Sequence, residues 1–554
     1  MPIEAKVVLG YKNIFGISSS ANVIETISGI CPDVLLLILC NTSSLLFNKK
    51  TSKYIYSLFV STGTKVIYSR EIQQISFILN QKKENEIFNE KTNSEFLKII
   101  IENYNYLKEK KVGRDFIFIE ISFLKAYLIL NEIAYLSKYE GKLFLDIPKE
   151  YYAEFGQIIL GKKTVRYYCG SNFYYEFLKI KTLLYHYYCN ERDILDKFYK
   201  INAIEYPDLW IFDVFQLLTL GDKSIFIEPD HWMWKYCEET KINNFFNTPV
   251  TDTELRLNPL FLHDGKYAIL KWTFFLQHLF YKIYYKLFQL YRAKYNEKLT
   301  FGNYKSNISN LISEKILFRK VIEKSFNSKG VFIKFDDQEI DGFSDCYLRY
   351  NNSVLLFEFK DNAIGEDFIE NDSYQYVKSY IDERFIGSKK KGKPKGISQL
   401  VNSINYLNEN IESIDPLLLN KYKQRSVDIY PIIVVSDEMF SQSALESYLT
   451  KEFGKIKPHA NFRNIKDLIV INISSLIDYF LSSEKTNYTH IIKQYSNKKK
   501  KFRSKDLFPN FPDIESISYP RSSKTKSLLA FIKELPICDL SIDEQFEQIK
   551  KKEI

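Results

Sequence analysis

The stretch DGFSDCYLRYNNSVLLFEFKD, Asp341 to Asp361, decides how the chain is read. Two apolar runs flank Asn351-Asn352. Asparagine tolerates the positive φ that tight two-residue turns demand, so the stretch predicts a β-hairpin. The turn fixes the register. Tyr350 then faces Ser353, and counting outward sets Asp345 opposite Glu358. Opposed residues of an antiparallel pair share a face, with Cβ atoms ~5 Å apart. Lys360 lies two residues beyond Glu358 and projects from the same face. Three charged groups are therefore expected at one spot, in a strand whose Leu355, Leu356, Phe357 and Phe359 make it apolar on both faces.

Charges inside an apolar strand are costly unless they are paired or bind something. Two carboxylates this close repel each other unless a positive group sits between them. Hard oxygen donors suit magnesium, which keeps several waters and substrate phosphate oxygens in its shell. Such an ion can activate water, and an adjacent Lys can orient or deprotonate that water or stabilise charge on a phosphate. The bland alternative is an exposed hairpin with a surface ion pair. The strand's apolar character on both faces argues against it. Asp341 is an alternative metal acid, but it lies four residues from Asp345 along the strand, too far to oppose Glu358.

Outward from the hairpin the pattern is regular. SNISNLISEKILFRKVIEKSF predicts a helix, with Ile308, Leu311, Ile312, Leu317, Val321 and Ile322 apolar. GVFIKF predicts a strand before the hairpin. After it come a Lys-rich segment, the helix ISQLVNSINYLNENI and the apolar strand VDIYPIIVVSD. A helix near SQSALESYLTKEF and the strand DLIVINIS complete a compact α/β unit.

This arrangement resembles the PD-(D/E)XK nuclease superfamily, the restriction-endonuclease-like fold, over about residues 303 to 475. Asp345, preceded by Ser344 where many members have Pro, matches the acid of the second core strand. Glu358-Phe359-Lys360 matches the Glu-x-Lys of the third. The resemblance implies an αβββαβ core with a mixed sheet. It implies a magnesium-dependent nuclease, with manganese able to substitute, that hydrolyses phosphodiester bonds, DNA being the expected nucleic acid. Asp345 and Glu358 would bind metal, and Lys360 would act on the attacking water or the scissile phosphate. The family often adds an acid from the preceding helix as a third metal ligand. Glu314, with Leu311, Leu317 and Phe318 as helical neighbours, fits better than Glu323, which neighbours Arg319 and Lys320. Gln399 matches a Gln that many members carry on the following helix. By fold-level analogy alone, the role would be restriction or anti-phage defence. A non-catalytic nuclease-fold scaffold and an RNA-cleaving toxin are the competing readings. The intact Asp, Glu and Lys argue against the scaffold.

Lys389, Lys390, Lys391, Lys393 and Lys395 lie between the Glu-x-Lys strand and the Gln399 helix, where they could contact a phosphate backbone. Cys346 should point away from Asp345 into the core.

The 554 residues divide on this reading into a mixed α/β, helix-rich region at 1–295, the nuclease-like domain at 296–481 and a loosely packed basic tail with a short helix at 482–554. In the first region VLLLILC and DFIFIEI look like strands, and NSEFLKIIIENYNYLKEK and SFLKAYLILNEIAYLSKY like helices. It is expected to supply target recognition, regulation, or contact with a protein partner or second copy. GQIILGKKT, from Gly156, approaches a phosphate loop. It has Lys163 where the loop needs Ser or Thr, and Ile158, Ile159 and Leu160 suit a strand. The run 498–501 reads as a solvated linker. The 41 Tyr and 43 Phe, with abundant Lys, Asn and Ile, fit an AT-rich coding bias, so the aromatics are not read as base-stacking platforms. A net charge of +9 permits nucleic-acid contact without establishing it. Seven dispersed Cys without a C-x-x-C pair argue against a disulfide framework or zinc site and fit a reducing, cytoplasmic setting. No signal peptide and no membrane span are expected. YAILKWTFFLQHLFYKIYYKLFQLYRAKY is interrupted by Lys271, His278, Lys282 and Lys286 and predicts a long helix.

Overall fold

The computed structural model describes residues 7–48, 50–81, 85–112, 115–136, 146–168, 172–219, 225–229, 237–295, 297–336, 342–361, 364–387, 395–481 and 488–499. The chain is mixed α/β and divides into two units. The first comprises residues 1–142, 166–170 and 204–284; the second comprises 143–165, 171–203 and 285–554. The boundary near residue 295 is therefore corrected. Two stretches read as part of the N-terminal region belong to the unit that carries the hairpin.

The first unit is mostly helical, with a small antiparallel sheet of Phe226–Ile227, Lys266–Ile269 and Leu260–His263. The two runs expected there as strands are helices instead, within Pro32–Phe47 and Phe116–Leu136. Short apolar runs carry no period that separates a buried strand from a buried helix, and here the helical neighbours continue them. The long aromatic helix is present at Trp272–Tyr295. Among the described residues no helix is long and apolar enough to cross a membrane.

The second unit is built on a mixed sheet. Its strands are β1 (Val331–Phe335), β2 (Cys346–Tyr350), β3 (Ser353–Lys360), β4 (Asp428–Val435), β5 (Asn464–Ile465) and β6 (Ile469–Asn472). β1, β2 and β3 pair antiparallel in order. β4 lies parallel to β3, and both β5 and β6 lie parallel to β4. A helical run, Phe301–Ile308, Ser309–Phe318 and Arg319–Ser325, precedes β1. Helix Ile397–Ile414 comes between β3 and β4, and Ser443–Ile456 between β4 and β5. Every residue of β4 is buried and β3 is buried up to Lys360, as expected of central strands covered on both faces. Val354, Leu356, Ile429 and Ile433 share one core with Leu400, Ile404 and Leu407 of the helix before β4.

The hairpin adopts the predicted register: Tyr350 faces Ser353 and Cys346 faces Phe357. Asn351 has φ of +55°, a conformation that costs other L residues more. Asn352 ties the turn to β4, donating from Nδ2 to the Ser426 carbonyl at 3.0 Å and accepting from the Asp428 N–H at 3.0 Å. Asn351→Val should therefore destabilise the second unit by about 1–2 kcal/mol while Asn351→Gly stays within about 0.5 kcal/mol, read from urea midpoints. Equal effects of the two would mean that the turn does not set the register. At the same end Asp415, fully buried, pairs with Arg349 and accepts from the Tyr347 hydroxyl at 3.1 Å.

Two further readings are corrected here. GQIILGKKT lies in the helix Tyr152–Tyr168, so Ile158, Ile159 and Leu160 are not a strand. Its Lys162 is buried, donates to the carbonyls of Phe368 (2.9 Å) and Asn371, and pairs with Asp372 at 3.0 Å. The segment after residue 482 is not uniformly loose. Tyr488–Lys499 is a helix whose Tyr488, Ile492, Tyr495 and Lys499 are buried.

Candidate active site

The pairing of β2 with β3 ends at Cys346 and Phe357, so Asp345 lies one residue beyond the paired strand, next to the end of the register. The Phe359 N–H is then left without a strand partner from β2. The Asp345 carboxylate takes its place, accepting that N–H at 2.6 Å through Oδ2. Asp345 is thus fixed by the backbone of the strand that carries Glu358 and Lys360. Cys346, next along β2, is buried as expected, and burial pushes its thiol well up.

Glu358 is 0% exposed. Its Oε1 pairs with the Lys360 ammonium, while its Oε2 is buried and has no hydrogen-bond partner. Burial first, and the Asp345 carboxylate second, hold the Glu358 carboxyl well above its ordinary range; Lys360 opposes both. Asp345 is also raised, mainly by burial, against the lowering effect of Lys360 and the Phe359 N–H. Burial alone would lower Lys360, but Glu358 and Asp345 outweigh it and keep the ammonium charged.

Glu314 is half-buried, and its carboxyl is pushed up to about 7, chiefly by burial and then by Asp345. The stripe drawn for its helix does not hold. Leu311 is 44% exposed, while Ile312, Ser313, Leu317 and Phe318 are buried. Ser309–Phe318 is π-helical, so the spacing of about 3.6 residues per turn does not apply to it. Glu323 pairs with Lys320 at 3.3 Å on the surface, as its neighbours suggested. Among the described residues no group of three or more His, Cys, Asp or Glu forms a ready-made metal cage. Asp345, Glu358 and Glu314 feel one another electrostatically without being drawn into one ligating group.

Gln399, half-buried near the start of helix Ile397–Ile414, donates from Nε2 to the Phe343 carbonyl at 2.7 Å. It therefore holds the chain two residues before Asp345. Gln399→Ala should cost about 1 kcal/mol of stability. It should also loosen Asp345, which would appear as faster amide hydrogen exchange at Phe359. Unchanged exchange would leave Gln399 with no part in the site. Of the lysine cluster, Lys395 is exposed just before that helix, while Lys389, Lys390, Lys391 and Lys393 lie outside the described residues, as does Asp341.

Sequence reasoning missed Asp361 and Lys179. Asp361 follows Lys360 and pairs with Lys179 of helix Asn172–Asn190 at 2.5 Å, both side chains largely buried. Nothing in the local pattern marks two residues 182 positions apart as partners.

The carboxylates of Asp345 and Glu358 fit a hard divalent cation: Glu358 Oε2 is buried with no hydrogen-bond partner, and the Asp345 carboxylate, held by the Phe359 N–H, is near enough to raise the Glu358 carboxyl. No family model, curated protein or solved structure matches this chain.

Proposed function

We propose that the second unit is a metal-dependent nuclease of the PD-(D/E)XK type, acting on phosphodiester bonds, with DNA as the first substrate to test. The observation that carries the reading is the constellation at the open end of β2 and β3. Asp345 is held by the Phe359 N–H and acts electrostatically on Glu358, Lys360 is paired to Glu358, and one Glu358 oxygen has no hydrogen-bond partner. The strand and helix order around the hairpin supports it. A scaffold gains nothing from burying an unpartnered carboxylate oxygen, which costs about 1–3 kcal/mol or more.

Asp345 and Glu358 would hold a magnesium ion; Mg²⁺ commonly uses one or two carboxylates and leaves its remaining positions to water and phosphate. When bound, the ion supplies an activated water and neutralises charge on the phosphate. The chain's own part is orientation and charge. The Phe359 N–H fixes one oxygen of Asp345, so that carboxylate cannot swing away from Glu358. Lys360 stays protonated against its two carboxylate neighbours and presents a cation where negative charge develops on a phosphate. Glu314, with its carboxyl near 7, can take or give a proton at neutral pH.

The test is direct. Full-length protein is incubated with supercoiled DNA, linear DNA and RNA, with magnesium, with manganese and with EDTA. Metal-dependent cleavage of DNA is expected. Cleavage of RNA alone moves the assignment to a ribonuclease on the same site. Binding of nucleic acid without cleavage of any substrate supports the scaffold.

A further inference from the structure

The Lys360–Asp361 peptide is held from several sides. The Ser436 N–H donates to the Lys360 carbonyl at 3.2 Å, and the Ser309 hydroxyl to the Asp361 carbonyl at 3.4 Å. Phe318 stacks on Phe359 with ring centroids 4.9 Å apart and planes within 11°. The fourth hold is the strongest: Lys179 Nζ on Asp361 Oδ2 at 2.5 Å, with side-chain exposures of 11% and 5%. Burial would raise the Asp361 carboxyl, and Lys179 reverses that and keeps it below its ordinary range. The pair is thus ionised.

Successive residues of an extended chain point to opposite faces. Lys360 turns toward Glu358, so Asp361 turns the other way, toward helix Asn172–Asn190. From this geometry we propose that the Lys179–Asp361 pair is a positioning device for Lys360, through which helix Asn172–Asn190 sets the place of the Lys360 ammonium in the site. The mechanical part of this stands on the ion pair alone; its catalytic consequence rests on the nuclease reading. A displacement of about 1 Å of a reacting group can cost about a hundredfold in rate. A pair one residue from Lys360 is well placed to prevent it.

The test uses full-length protein and the double variant Lys179→Met/Asp361→Asn. Removing both charges avoids leaving one of them buried alone. The first readout does not depend on activity. Amine acetylation at fixed pH is followed by mass spectrometry, with Lys360 scored against Lys320, a half-exposed reference. Lys360 labelling should rise by about fivefold or more in the double variant, whereas Lys179→Arg should stay within about twofold of wild type. The second readout is cleavage, where kcat should fall by about ten- to a hundredfold with KM within about twofold.

Wild-type labelling of Lys360 in a folded double variant overturns the proposal, as does an unchanged kcat in an active enzyme. Behaviour of Lys179→Arg like the double variant also overturns it, since packing rather than the ion pair would then be responsible. Should the double variant fail to fold, Lys179→Gln/Asp361→Asn, which also removes both charges but keeps polar groups, repeats the comparison. If wild type cleaves no substrate, the nuclease reading fails while Lys360 labelling still decides whether the pair positions Lys360.

Discussion

Glu358→Gln is expected to abolish metal-dependent cleavage, a loss of about a thousandfold or more, while leaving the melting temperature unchanged or higher. The two halves of this result have one cause. At neutral pH the Glu358 carboxyl is fully buried, feels the Asp345 carboxylate and is held well above its ordinary range. Gln has the shape of the carboxylate without its charge, so the folded state loses a strain and the site loses a ligand. Lys360→Ala should cost about a hundred- to a thousandfold in rate. Unlike Glu358→Gln it should also lower stability, because two carboxylates then face each other with their counter-charge gone. Turnover on the preferred substrate and calorimetric melts separate the outcomes. Glu358→Gln cleaving within about tenfold of wild type would remove Glu358 from the chemistry.

The same cluster sets a pH dependence in metal-free protein. Glu358 and Asp345 are raised above their ordinary values, and Glu314 reaches about 7. A carboxyl whose folded-state pKa is raised favours folding fully below its unfolded value and loses that contribution as pH rises through its folded value. Metal-free protein should therefore melt higher at about pH 5 than at about pH 8, with the part of the fall due to Glu314 running from about pH 4.5 and ending near pH 7. Lys360 is also raised, but its loss lies above pH 10 and does not enter this window. Magnesium should flatten the slope by favouring the ionised carboxylates, and Glu358→Gln should flatten it without metal. A flat slope in metal-free wild type would show that these acids are not strained by burial.

What could be read in the sequence divides by the range of the interaction that decides it. The hairpin was legible because two local rules agree: alternation with period two, and an Asn-Asn pair where φ becomes positive, as it does at Asn351. Asp345, Glu358 and Lys360 follow from that register. Gln399 was found by position, but its partner, the Phe343 carbonyl, was not. The runs VLLLILC and DFIFIEI were misread because a short apolar stretch suits either buried element. The stripe through Leu311 failed because nothing in SNLISEKILF announces i→i+5 hydrogen bonding. The unit boundary failed for a further reason. Residues 143–165 and 171–203 join the second unit through contacts such as Lys162 with Asp372, Glu154 with Lys451 and Lys179 with Asp361, each spanning a large part of the chain.

The lysine run at 498–501 tests that lesson most sharply, because a charged run is ordinarily a solvated one. Lys499 is 0% exposed and Glu446 1%; they pair at 2.6 Å. Lys499 also donates to the Leu468 carbonyl beside β6, and Glu446 accepts from the Tyr495 hydroxyl at 2.6 Å. Helix Tyr488–Lys499 is thus fastened through its last residue to helix Ser443–Ile456 and to the chain entering β6. Lys499→Met removes one ion and leaves the other buried, which should cost about 3–5 kcal/mol. Lys499→Met/Glu446→Gln should recover more than half of that, since the uncompensated charge is gone while the Leu468 carbonyl keeps only the Thr450 hydroxyl as side-chain donor. Among the described residues the Trp side chains, Trp210 and Trp272, lie in the first unit, so fluorescence provides an internal reference. Urea unfolding should show a Trp transition that stays in place, while hydrogen exchange of the β4 and β6 amides accelerates in Lys499→Met. A loss below about 1 kcal/mol would be the value of an exposed pair and would return this helix to the loose tail that its lysines suggest.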